Sequence, residues 1–103
     1  MLVAGFEGTT LNSDLEDLIQ TRRVGGLILF ERNFESPDQL SCLIHDLQSL
    51  ALSGPASAPL FISVDQEGGR VSRLRPPFSA FPSPSCLGRA RSESLARRFG
   101  LAL

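Results

Sequence analysis

Three short, uninterrupted apolar runs alternate along the chain with stretches in which apolar residues return every three or four positions. Residues 2–6, 25–30 and 60–64 are the runs, five or six residues each and apolar or glycine apart from Ser63. Apolar positions without alternation predict strands covered on both faces, as in a parallel sheet flanked by helices. Between the first two runs, Leu15, Leu18 and Ile19 form one helical stripe. Ser13 with Glu16 fits a capping box at its start, and the helix is expected to end near Arg22 and Arg23, where positive charge suits the dipole. Between the second and third runs, Leu40, Leu43, Ile44, Leu47 and Leu50 make a longer stripe. Ser36, Pro37 and Gln39 provide its cap, a first helical residue that needs no amide partner, and a side chain able to reach back.

After the third run comes a polar, glycine-rich loop, then a proline-rich stretch over residues 76–84 that suits neither a helix nor a central strand. Ser92 is positioned to cap a last helical segment over residues 95–103, which carries no carboxyl-terminal cap signal and is expected to be cut within the element. The order is strand, helix, strand, helix, strand, long loop, helix. That order predicts βα units around a parallel sheet. An open doubly wound sheet uses about five strands and a (β/α)8 barrel uses eight in about 250 residues. Three strands complete neither, and their unpaired edges and uncovered faces predict an incomplete piece of low stability.

Composition narrows the partners. The 103 residues carry ten basic and eleven acidic side chains, without runs of like charge, so neither a nucleic acid nor a membrane surface is an expected partner. All ten basic residues are arginine, which removes lysine nucleophiles and Schiff bases from this chain. Cys42 and Cys86 lack the spacing of a zinc site or a redox dithiol, so no metal or cofactor is expected, and idle thiols in a reducing compartment are the default reading. The first residues lack a basic region before a long apolar run, and no stretch approaches the ~20 apolar residues that span a bilayer, so the expected location is the cytoplasm.

In a parallel sheet of either closure, function sits at the carboxyl ends of the strands. Asp65 stands where the third run hands over to the loop, followed by Gln66, Glu67, Gly68, Gly69 and then Arg70, Arg73 and Arg75. An aspartate accepting two hydrogen bonds and an arginine donating a planar pair suit sugar hydroxyls, and the same residues suit a structural salt bridge equally well. Phosphate binding by the glycines is disfavoured because no helix start follows them directly.

Residues 60–74, LFISVDQEGGRVSRL, resemble the third barrel strand of family-3 glycoside hydrolases of the β-N-acetylglucosaminidase type. Residues 25–33, GGLILFERN, resemble their second strand, and residues 5–8 their first. The resemblance runs over essentially the whole chain, residues 1–103. It implies an α/β fold consisting of the first three βα units of a (β/α)8 TIM barrel, and removal of terminal non-reducing β-linked N-acetylglucosamine, as in recycling of cell-wall muropeptides. It also implies that Asp65 and Arg73 bind the substrate sugar, while Glu67 and Arg70 brace the loop. The family's aspartate nucleophile and histidine acid/base would fall beyond Leu103, so no catalytic residue is assigned here and the rest of the barrel is needed for a complete domain. His45, on the polar side of the second helix, reads as a surface residue. Asp65 and Glu67 are not a catalytic pair, because neighbours in one loop do not flank a sugar at the ~5 Å that retaining chemistry uses. The alternative is a non-catalytic sugar-binding or interaction module.

Overall fold

A computed structural model describes residues 1–102 of the 103. The chain forms two compact units, the first ending at Asp65 and the second beginning at Gln66.

The first unit is built on strands β1 (Val3–Gly5), β2 (Gly26–Leu29) and β3 (Phe61–Val64). They pair in parallel in the order β1-β2-β3, with Gly5 beside Ile28 and Leu29 beside Val64. Helix α1 (Ser13–Glu16) runs on into a π-helical turn, Asp17–Thr21, and α2 spans Pro37–Ser53. Pleating puts Leu27 and Leu29 on one face of the sheet and Ile28 on the other. The first pair is buried together with Leu15, Ile19, Leu40, Leu43 and Leu47 from the helices, so this is the helix-covered face. On the opposite face Val3 is 37% exposed and Phe61 58% exposed.

The residues of β1 and β3 are exposed or half-buried, as the uncovered faces expected of three strands alone require. The sequence pattern reports what the strands are built to bury, and these residues have only one covering layer. The unpaired outer edges of β1 and β3 are as expected.

Helix starts were legible with one correction. At α2, Ser36 Oγ accepts from the Gln39 amide at 3.1 Å, and Gln39 Oε1 accepts from the Glu35 amide at 2.9 Å. At α1 the cap is Asn12, not Ser13: Asn12 Oδ1 accepts from the Leu15 amide at 3.0 Å. Either side chain can supply the oxygen, and Asn12 takes the role because its backbone is extended while Ser13 is already helical. On α2, Leu40, Leu43 and Leu47 are buried, Ile44 and Leu50 are half-buried, and His45 is exposed as predicted.

The second unit differs more from expectation. The glycine-rich loop is a small antiparallel hairpin, β4 (Gln66–Gly68) with β5 (Val71–Ser72). A helix not foreseen in the sequence, α3 (Pro84–Ala90), precedes α4 (Glu93–Ala102), whose start is capped by Ser92 as predicted. The end of the predicted last helix, Leu103, lies outside the described residues. Phe81 and Phe99 meet edge to face with ring centroids 5.4 Å apart. Every fully buried apolar side chain among the described residues lies in the first unit.

Candidate functional site

Asp65 closes the first unit, one residue beyond β3, with its side chain exposed. The strand is tied at its base to α2: Gln48 Nε2 donates to the Leu60 carbonyl, and the Leu60 amide donates to Gln48 Oε1, each at 2.9 Å. At the same end of the sheet, Asn33 is completely buried in the short 3-10 turn Glu31–Asn33 that follows β2. Its Oδ1 accepts from the Phe30 amide at 2.9 Å, and its Nδ2 donates to the carbonyls of Phe6 at 3.2 Å and Gly8 at 2.9 Å. One side chain thus joins the ends of β1 and β2. Gln39 adds a further tie, donating to the Thr9 carbonyl at 2.6 Å. The strand ends of the first unit are therefore held by the side-chain amides of Asn33, Gln39 and Gln48.

In the second unit Gln66 organises the hairpin. Its Oε1 accepts from the amides of Arg73 and Leu74 at 2.8 and 3.1 Å, and its Nε2 donates to Ser72 Oγ at 3.0 Å and to the Leu74 carbonyl at 3.2 Å. Gly68 and Gly69 turn the chain with φ of +83° and +63°. Arg73, just past β5, is held through its backbone by Gln66, and its Nε is buried without a hydrogen-bond partner. That is the one such side-chain atom among the described residues. Leaving a guanidinium donor buried and unpaired is costly.

Glu67 and Arg70, expected to brace the loop, are exposed, and the bracing falls to Gln66. The sequence places Gln66 inside the recognised segment, but a glutamine in a polar loop carries no signal that it will bond four backbone and hydroxyl groups. A hollow of about 240 Å³ in the second unit is lined by Gln66, Leu74, Phe78, Ser79, Phe81 and Ala102, and neither Asp65 nor Arg73 is part of its lining. No group of three side chains able to hold a metal occurs among the described residues, and no helix is long and apolar enough to cross a membrane.

Residues 2–103 match the Glycosyl hydrolase family 3 N terminal domain. The chain belongs to glycosyl hydrolase family 3. A β-hexosaminidase of Alkalilimnicola ehrlichii is 48% identical over 86 residues, which are 84% of this chain and 23% of that protein. The family-3 β-N-acetylglucosaminidase of Paenibacillus sp. superposes with a TM-score of 0.86 at 40% identity, over 92% of this chain and 18% of the other. NagZ of Neisseria gonorrhoeae, in complex with N-trifluoroacetyl-D-glucosamine, superposes with a TM-score of 0.74 at 32% identity, over 85% of this chain and 24% of the other. The chain thus spans about a quarter of the length of the curated relative. Its strands and helices are the first three βα units of an incomplete (β/α)8 barrel, as the sequence implied. In (β/α)8 barrels generally the helix-free sheet face points inward and the carboxyl ends of the strands form the functional face; Asn33 and Asp65 lie at those ends here.

Proposed function

We propose that residues 1–103 act as the amino-terminal part of the catalytic barrel of a β-N-acetylglucosaminidase, holding the terminal non-reducing sugar of a β-linked N-acetylglucosaminide. Asp65 accepts hydrogen bonds from sugar hydroxyls, and Arg73 donates to the sugar. The exposed position of Asp65 at the carboxyl end of β3, the end at which (β/α)8 barrels bind their substrates, carries this reading. The β-N-acetylglucosaminidase names of the structural relatives support the choice of sugar. A muropeptide is the proposed natural substrate and the cytoplasm the proposed location.

Retaining hydrolysis needs a nucleophilic carboxylate and a proton donor on opposite sides of the glycosidic bond. Asp65 and Glu67 are separated by one residue of one segment, and His45 is exposed on α2, so neither role is assigned within this chain. Its contribution is to bind and orient the sugar, and the chemistry belongs to the later barrel strands.

The test is a chimera in which these residues replace the matching segment of the Alkalilimnicola relative, assayed with 4-nitrophenyl N-acetyl-β-glucosaminide beside the 103-residue chain alone. Turnover is expected from the chimera and not from the chain. In the chimera, Asp65→Ala is expected to lower kcat/KM at least about tenfold, since a charged hydrogen bond contributes about 1.5–3 kcal/mol. Unchanged kinetics in that variant would remove Asp65 from the site. An inactive chimera that binds the sugar with the affinity of the chain alone would favour a non-catalytic sugar-binding module.

A further inference from the structure

The end of the sheet in the first unit holds a second charged group, and it is already fixed in place. Arg32 sits in the turn after β2. Its Nε donates to the Phe6 carbonyl at 3.0 Å and lies 2.9 Å from Glu7 Oε1. Its guanidinium lies over the Phe30 ring, 4.6 Å from the centroid. Room for this stack comes from Gly5: a Cβ there would lie 3.1 Å from Phe30 Cε2 and 3.7 Å from Arg32 Nη2. The anchoring uses Nε alone. Neither Nη makes a hydrogen bond among the described residues, and the side chain keeps 44% of its exposure.

The register says where this group stands. Gly5 pairs with Ile28 and Leu29 with Val64, so continuing each strand puts Glu7, Phe30 and Asp65 on one level across the three strand ends. By alternation all three share the face of Gly5, Ile28 and Ser63, the face without helices. An exposed ion pair contributes little to stability, so bonding to Glu7 alone gives weak reason to immobilise an arginine here. A guanidinium held at its root, stacked on a ring and left with two outward donors is arranged to bind something.

We infer that Arg32, held by Glu7 and the Phe6 carbonyl, is a further sugar-binding residue on the rim that ends in Asp65. Its Nη1 and Nη2 donate to hydroxyls of the bound N-acetylglucosaminide, and the second Glu7 carboxylate oxygen offers an acceptor beside them. Donor pair and acceptor together match a sugar, whose hydroxyls both give and receive hydrogen bonds, better than they match an anion, which Glu7 repels. This inference rests on the reading of the rim as a glycoside site.

The test is an NMR titration of the chimera, in which the barrel is complete, with methyl N-acetyl-β-glucosaminide, following the backbone amides of residues 1–103. Shifts at Glu7, Phe30 and Asp65 are expected in the wild type. Arg32→Met keeps the stem over Phe30 and removes the donors, and it should weaken binding about tenfold; Arg32→Lys, with a single charged donor group, should weaken it less. Arg32→Lys also serves should the spectrum show that Arg32→Met does not fold. If both variants bind as the wild type does while Asp65→Ala binds more weakly, the role of Arg32 is overturned and the glycoside site stands. If Asp65→Ala also binds like the wild type, or the wild type shows no shifts, the site itself is wrong.

Discussion

Asn33 donates from Nδ2 to the carbonyl of Gly8 at 2.9 Å, across 25 residues of sequence, from a side chain with no exposed surface. With its bonds to Phe6 and Phe30 it ties the carboxyl ends of β1 and β2 together. Asn33→Asp keeps the acceptor, loses both donors and brings a charge into a buried position. We expect it to cost ~3 kcal/mol or more, with Asn33→Leu close behind because it strands the same backbone groups. Urea denaturation at neutral pH checks this, and an unchanged midpoint for both variants would show that water replaces the amide.

Gln48 predicts a pH-dependent variant. Gln48→Glu keeps the acceptor for the Leu60 amide but, when ionised, sets a carboxylate against the Leu60 carbonyl. A loss of about 1–3 kcal/mol is expected at pH 7. The protonated carboxyl can donate again and the Leu60 carbonyl disfavours the charged form, so the folded variant takes up its proton above the ordinary glutamate value of about 4.3, and the deficit relative to the wild type should shrink as pH falls towards that value and be lost below it. Parallel denaturation curves of the two proteins at pH 7 and pH 4 read this out; a pH-independent gap would contradict the shared-amide geometry.

Gly68 takes φ of +83°, and a Cβ there would lie 2.5 Å from the Pro82 carbonyl oxygen and 2.7 Å from that of Phe81. Gly68→Ala therefore adds a clash with backbone to a left-handed strain of about 1–2 kcal/mol. The neighbouring Gly69 amide, which donates to Phe81 at 2.9 Å, should lose protection from hydrogen exchange. Wild-type exchange at Gly69 in the variant would argue against the tight turn.

Cys86 has Ser83 Oγ 3.6 Å and Arg89 Nη2 3.2 Å from its sulfur. The Ser83 hydrogen bond, and after it that of Arg89, holds the thiol below its ordinary range. A lowered value means that thiolate is present at lower pH, so alkylation by iodoacetamide should reach half its maximal rate below the usual thiol value of about 8.5. Ser83→Ala and Arg89→Met should each move the midpoint upward, which mass spectrometry of Cys86 alkylation against pH would show.

Much of this protein is written locally. Apolar runs named the three strands within a residue or two, and the leucine stripe with Ser36 and Pro37 named α2, because periodicity and capping chemistry act over a few positions. The segment from Asp65 to Val71 named the family for the same reason, its residue types being adjacent. The hairpin and α3 escaped because short elements with glycine, serine and proline carry weak propensity, and the hairpin's side-chain bonds are made by Gln66 to residues six to eight positions away.

What only the tertiary structure decided is which groups are left to act. Sequence alone could not say that Asn33 is consumed by Phe6, Gly8 and Phe30, that Arg32 spends one nitrogen on Phe6 and Glu7 and keeps two, or that the Nε of Arg73 is buried unpaired. Hydrogen-bond occupancy depends on partners distant in sequence and brought close by pairing β1 with β2. Side-chain type and order determined the family and the strand ends; the surplus of donors at those ends is a property of the folded chain.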